Sequence, residues 1–195
     1  MKATLATAHL CGILAPDPVV ACDSTGLQTR HISHHYAYRI GQQPYLMRRF
    51  LKLSAAIDCR SHLFVAAVTT KGPTHDVREA PRLLRQAKRN TNFSTVLLDA
   101  GYDAEYLHVL VREKLHAKAW IPPRAGRKSR KWPKAKYRRE MRKSFNKDIY
   151  KQRVQIESAF SRNKRRLGAE LRARKWESQK REAALRLLTH NLMLL

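Results

Sequence analysis

The sequence predicts an α/β fold, a mixed sheet flanked by helices. Three observations carry this. Two strand-like segments, Leu51 to Ile57 and His62 to Thr70, are joined by the short turn Asp58-Cys59-Arg60-Ser61. Apolar runs at 96–98 and 117–121 then alternate with helical patterns. Two further helical segments, about 148–167 and 177–195, close the chain. A hairpin followed by βα alternation requires both antiparallel and parallel strand neighbours.

Residues 1–16 form a short N-terminal segment. Lys2 and the apolar stretch after it loosely mimic an export signal, but His9 interrupts the stretch and Leu10 spoils a lipoprotein cleavage site before Cys11. Val19-Val20-Ala21-Cys22-Asp23 reads as a buried strand ending in an acid, with Ser24-Thr25-Gly26 as the turn that follows. Residues 27–49 read as an exposed loop or hairpin. Lys71-Gly72-Pro73 stops the second hairpin strand. Thr74 or Asp76 is placed to cap a helix to about Lys88. Val96-Leu97-Leu98-Asp99 is a second apolar run ending in an acid. A helix over about 104–115 and a short strand ended by Pro122-Pro123 come next. The ribonuclease-H-like fold has this order of elements.

The 195 residues suit one domain with its own core. Forty Lys and Arg stand against fifteen Asp and Glu, a formal balance of +25. Such a charge repels itself in the compact state, and nucleic acid is the commonest partner that relieves it. Ordinary apolar and aromatic content excludes a disordered basic tail. Cys11, Cys22 and Cys59 form no CxxC pair and are odd in number, which fits reduced thiols inside a cell. No apolar run reaches the ~18 residues of a membrane span. A cytoplasmic, nucleoid-associated protein is expected, with no membrane partner.

Asp23 and Asp99 occupy matching contexts, each at the carboxyl end of an apolar strand and followed by small residues. Ligands of open α/β sheets gather at that end of parallel strands. Two carboxylates brought close resist joint ionisation, and a divalent cation removes the conflict. Either acid alone is better explained as a turn cap. Together they point to a metal site.

The third acid lies on a helix. Tyr150, Arg153, Glu157 and Lys164 are spaced by three, four and seven. At ~100° per residue they fall on one stripe, bordering a face on which Ile149, Ile156, Phe160 and Leu167 align within ~20°. Glu157 thus stands at the rim of the core. An amphipathic helix carrying an Arg153–Glu157 pair at i,i+4 accounts for this spacing equally well.

Tyr150-x2-Arg153-x3-Glu157-x6-Lys164 resembles the Y-R-E-K signature of DDE transposases from bacterial insertion sequences of the IS-four and IS-five type. "ACDSTG" at Asp23, "GPTHD" at 72–76, "LLDAGYDA" around Asp99 and "ALRLLTHNLMLL" at the end resemble the same family. The resemblance covers nearly the whole chain. It implies a ribonuclease-H-like core over 17–195 in which Asp23, Asp99 and Glu157 are catalytic and bind two Mg²⁺ ions, with Mn²⁺ as a substitute. It implies strand cleavage at transposon ends and transfer of a 3′-hydroxyl to target DNA. Tyr150, Arg153 and Lys164 would contact that DNA, the two cations holding phosphate oxygens. Family members carry a DNA-binding region before the first Asp, whereas 22 residues precede Asp23 here. The resemblance therefore implies that 1–16 is the remnant of an upstream region, or that another chain supplies end recognition. A homodimer is a second assembly it allows.

Other signals carry less. His31, His34 and His35 lack the partners of a zinc set and suit a DNA-facing loop. Thr74-His75-Asp76 needs no role beyond a helix start, and Asp103 reads as a helix cap. Residues 124–147 are a dense basic insertion with Trp132 and Tyr137, a pattern that suits backbone binding with base stacking. Two other readings stand beside the transposase. One is a catalytically inactive remnant that only binds nucleic acid. The other is a related ribonuclease-H-like nuclease, which the Y-R-E-K stripe disfavours.

Overall fold

The computed structural model describes residues 1–29, 38–39, 50–124 and 134–195. His31, His34, His35, Trp132 and most of the 27–49 segment lie outside the described residues. The sheet has six strands: β1 (Val19–Thr29), β2 (Phe50–Asp58), β3 (Phe64–Lys71), β4 (Thr95–Leu97), β5 (Lys118–Trp120) and β6 (Glu170–Leu171). Five of them run in the order β3-β2-β1-β4-β5. β1, β2 and β3 pair antiparallel, while β4 joins β1, and β5 joins β4, in parallel. This is the ribonuclease-H-like arrangement. β6 adds a short parallel pairing with β1 at Gln28 and Thr29.

Helices cover both faces, and the strands read accordingly. β2 is buried on both sides: Leu51, Leu53, Ala55 and Ile57 alternate with Lys52, Ser54 and Ala56. One face of the sheet packs α1 (Lys2–Leu10), α2 (Asp76–Asn90) and α3 (Glu105–Val109), which continues as a π-helical turn to Lys114. On α2, Ala80, Leu83, Leu84 and Ala87 recur at helical spacing and bury that stripe. Pro81 lies inside α2 and lacks the N–H that would bond the Val77 carbonyl. The Tyr106 hydroxyl donates to that carbonyl at 2.7 Å instead. Leu5 and Ala8 of α1 are buried in the same core as Val20 and Leu84, so residues 2–10 are part of this domain's packing.

The other face packs α4 (Lys136–Ser144), α6 (Val154–Leu167) and α7 (Trp176–Leu192). A short helix, α5 (Lys147–Tyr150), and a 3-10 turn at Lys151–Arg153 lead into α6. No helix among the described residues is long and apolar enough to cross a membrane.

Four expectations need correction. β1 does not end at Asp23 but runs through Ser24-Thr25-Gly26 to Thr29, because β2 pairs with it along that whole length. The single helix expected over 148–167 is broken by the 3-10 turn, whose tighter winding resets the phase at Arg153. Neither Thr74 nor Asp76 caps α2: His75 is the cap residue, without a side-chain bond, and Asp76 is the first helical residue. Asp103 does not cap α3 either. Its carboxylate, 1% exposed, receives two bonds from Arg138 at 2.7 Å and the Arg124 amide at 2.9 Å. Burial opposes its ionisation, but these donors outweigh burial and hold its pKa below the ordinary value.

The described end of the basic stretch is docked rather than free. α4 buries Met141, and the amides of Tyr137 and Arg138 donate to the Glu105 carboxylate at 3.0 Å. The Tyr137 hydroxyl donates to Glu113 at 2.9 Å, and the Arg112 guanidinium lies over its ring. The Tyr137 ring is thus half-buried and partnered within the protein.

Candidate active site

Strand register sets the first two acids. Val19, Val20 and Ala21 face Thr95, Val96 and Leu97. The pairing stops there, and Asp23 and Asp99 each lie two residues beyond the last pair. Ala21 and Leu97, two residues earlier, belong to the core beneath α6, so period-two alternation turns both acids toward that helix. The charge of Asp99 reaches Asp23 and helps raise its pKa.

Asp23 is held from two sides. Its Oδ1 accepts from the Ser24 amide at 2.8 Å, and its Oδ2 from Arg153 at 2.9 Å. Burial still dominates and, despite the Arg153 charge, leaves its pKa raised. Asp99 caps the 3-10 turn Ala100–Tyr102 through the Gly101 amide, 2.8 Å from its Oδ1. A side chain at position 101 would put a Cβ 2.9 Å from that oxygen, which gives the glycine after Asp99 a physical reason.

Ile156, Ala159, Phe160 and Asn163 bury the inner face of α6 and lay its rim along β1. Arg153 bridges Asp23 and Glu157, donating to both. Burial works against its charge, but Asp23, Tyr150 and Glu157 outweigh burial and raise its pKa. Glu157 itself is half-exposed. One step along, the Lys164 ammonium donates to Thr25 Oγ1 at 2.6 Å, and burial lowers its pKa. The Tyr150 ring packs against Phe145, with centroids 5.0 Å apart. Its hydroxyl is pushed to higher pKa by burial, with Asp99 and Asp23 adding to the effect. The structure thus gathers Asp23, Asp99, Tyr150, Arg153, Glu157 and Lys164 along the β1 rim. No three acids among the described residues stand close enough together to hold an ion as they are, and the guanidinium of Arg153 lies between two of them.

A model of the transposase DDE domain matches residues 14–192. The chain belongs to the transposase DDE domain family. Among solved structures, this DDE domain resembles piggyBac transposase, seen in a cryo-EM structure of its synaptic complex with hairpin DNA. The two are 11% identical with a TM-score of 0.51, over 92% of this chain and 47% of that one, so the likeness speaks for the fold. The chain spans just under half the length of that transposase chain.

Sequence reasoning missed a polar cluster on the opposite side of β1. Ser24 Oγ lies 2.8 Å from Ser54 Oγ and 3.2 Å from the Tyr102 hydroxyl, and it also bonds Asp76. The Lys52 ammonium, 8% exposed, pairs with Asp76 at 2.6 Å and donates to the Thr74 carbonyl. Ser24 adjoins Asp23, and Tyr102 closes the turn that Asp99 begins. The Thr74-His75-Asp76 segment of this DDE domain therefore ties into the strands that carry two of its acids. Extending the alternation of β1 past Asp23 would have put Ser24 on that side.

Proposed function

We propose that this chain is the catalytic domain, residues 17–195, of a DNA transposase that cleaves strands at transposon ends and joins a 3′-hydroxyl to target DNA. The observation that carries the reading is the Arg153 guanidinium bonded to both Asp23 and Glu157, with the charge of Asp99 reaching Asp23 from the end of the neighbouring parallel strand. The three carboxylates are hard oxygen donors of the kind Mg²⁺ prefers, and Mg²⁺ keeps some of its own waters, so few protein ligands suffice. The donor chemistry suits such an ion, but the three acids do not converge as they stand: Asp23, Asp99 and Glu157 would hold two Mg²⁺ ions, with Mn²⁺ as substitute, once the Arg153 guanidinium leaves the space between Asp23 and Glu157. The chemistry such ions supply when bound is stabilisation of the attacking and leaving oxygens of an in-line displacement at phosphorus.

The rest falls to the chain's own residues. Ser24 and Gly101 amides fix one oxygen of Asp23 and of Asp99, leaving the carboxylates aimed at the rim. Arg153 and Lys164 are cations along the path of a DNA backbone and would hold phosphate oxygens on either side of the cleaved bond. Tyr150 would border the same path. DNA at transposon ends and DNA at the target are the partners. A homodimer, or a further chain or segment that recognises the ends, would complete the assembly.

Glu157→Gln tests the reading. It keeps shape but removes the charge that holds a divalent ion. Mg²⁺-dependent cleavage and strand transfer should fall to background while duplex DNA binding stays nearly unchanged. Equal cleavage by the variant would put the catalytic site elsewhere, and a parent that binds DNA without Mg²⁺-dependent cleavage would leave the alternative, a domain that binds DNA without cutting it.

A further inference from the structure

We propose that the outer face of α2 is a second DNA-backbone site, one that takes a duplex segment other than the one in the active site. The proposal rests on the reading that this chain acts on DNA. Arg78, Arg82, Arg85 and Arg89 follow one another at intervals of four, three and four. That spacing draws one stripe down a helix, roughly 16 Å long at 1.5 Å per residue. All four are exposed, and α2 buries the opposite stripe against the sheet.

Among the described residues none of the four has an ion-pair partner. Of the two acids in the first turn, Asp76 is taken by Lys52, and Glu79 makes no ion pair with the stripe among the described residues. Like charges three and four residues apart destabilise a helix, so the stripe works against α2 unless an anion neutralises it. All four positions hold arginine, whose planar fork matches phosphate oxygens in pairs. The surroundings extend the same charge. Arg82, Arg85, Lys88 and Arg89 line a shallow depression with Leu115. Arg89 also borders a second depression, which Lys2 and His9 line from α1.

Placement makes this a separate site. α2 packs on the face of the sheet that carries Val20, Cys22, Val96 and Leu98. The acids turn toward the other face, where α6 lies. The whole sheet and the thickness of α2 separate the stripe from Glu157, so one straight duplex cannot touch both. A reaction that joins two DNAs needs hold of a second one, and this face offers it without base contacts, hence without sequence preference.

The test uses the whole chain with all four arginines changed to Gln, a residue that keeps helix propensity at exposed positions. Duplex DNA affinity is titrated against salt for this variant, the parent and a fourfold Arg→Lys control. Four lost phosphate contacts should shallow the slope of log affinity against log salt by about 3.6. The lysine control should keep the parent slope. A bridging assay follows, in which protein held on an immobilised duplex captures a second, labelled duplex. The Gln variant should hold the first and lose the second. Unchanged slope and bridging would overturn the site, as would tighter capture of single-stranded RNA or anionic vesicles than of duplex DNA. Glu157→Gln should bridge like the parent. A failure of the catalytic reading therefore shows in cleavage, and a failure of this one in bridging.

Discussion

Arg153 donates to Asp23 Oδ2 at 2.9 Å while its other terminal nitrogen reaches Glu157, so one side chain ties the first acid of the site to the last. Without a divalent ion, this guanidinium is the counter-charge of both carboxylates. Arg153→Ala should therefore destabilise the ion-free protein by about 1.5–3 kcal/mol, the range for hydrogen bonds to charged groups. Added Mg²⁺ should raise the melting temperature of Arg153→Ala more than that of the parent, because the variant's acids have lost their internal cation. Thermal melts with and without Mg²⁺ read this directly; equal shifts would count against the counter-charge role.

Asp23 supplies a pH prediction. Burial raises its pKa above the ordinary 3.8, so the folded state binds its proton more tightly than the unfolded state does. Stability from this group is therefore greatest at low pH and declines as pH rises from about 3.8 through the folded value. Asp23→Asn removes the buried charge. It should melt higher than the parent at neutral pH, and the gain should vanish near pH 3.8. Denaturant titrations at several pH values check the sign.

Gly101→Ala should separate catalysis from folding. The added methyl would stand 2.9 Å from Asp99 Oδ1, so the carboxylate must turn away from the Gly101 amide. We expect a loss of cleavage of about tenfold or more, since small misplacement of a catalytic group is expensive. Stability should change by only about 1 kcal/mol, the net worth of one such hydrogen bond. Cleavage at the parental rate would show that the Asp99 orientation seen here is not the working one.

His108 tests the core. It is fully buried, neither ring nitrogen has a partner among the described residues, and burial lowers its pKa below 6.5. A depressed histidine contributes stability above its unfolded pKa of about 6.5 that is lost as pH falls through the folded value. His190, buried against Phe64, is shifted the same way and for the same first cause. His108→Leu should stabilise the protein at pH 7 by about 1–2 kcal/mol, the cost of a buried unsatisfied polar group. It should also flatten the loss of stability below pH 6.5. An unchanged acid limb would assign the titration elsewhere.

Much of this was legible in residues alone. The apolar strands that lead to Asp23 and Asp99 and the rim position of Glu157 follow from alternation and helical spacing, both local patterns, although Asp23 lies within its strand and not at its end. What stayed hidden was set by tertiary pairing. Ser24-Thr25-Gly26 looks like a turn until β2 lies beside it and draws it into a strand. Asp103 looks like a cap until Arg138, 35 residues on, claims its carboxylate. Arg153 and Glu157 read as an ordinary helix pair, and no spacing rule says that the arginine also reaches Asp23. β6 is two residues long and has no pattern of its own.

That last strand has a consequence for how a substrate would approach. On one side, β1 is paired with β4 only as far as Ala21 and with β6 only from Gln28. Between them, residues 22–27 have no strand neighbour on that side among the described residues. At about 3.3 Å per residue this is a notch roughly 20 Å long, cut into the middle of the sheet. Asp23 and the Thr25 that Lys164 grips both lie within it. Asp23 is therefore offered at a broken edge, with β4 as one jamb and β6 as the other. The width of that doorway is fixed by where two short strands stop.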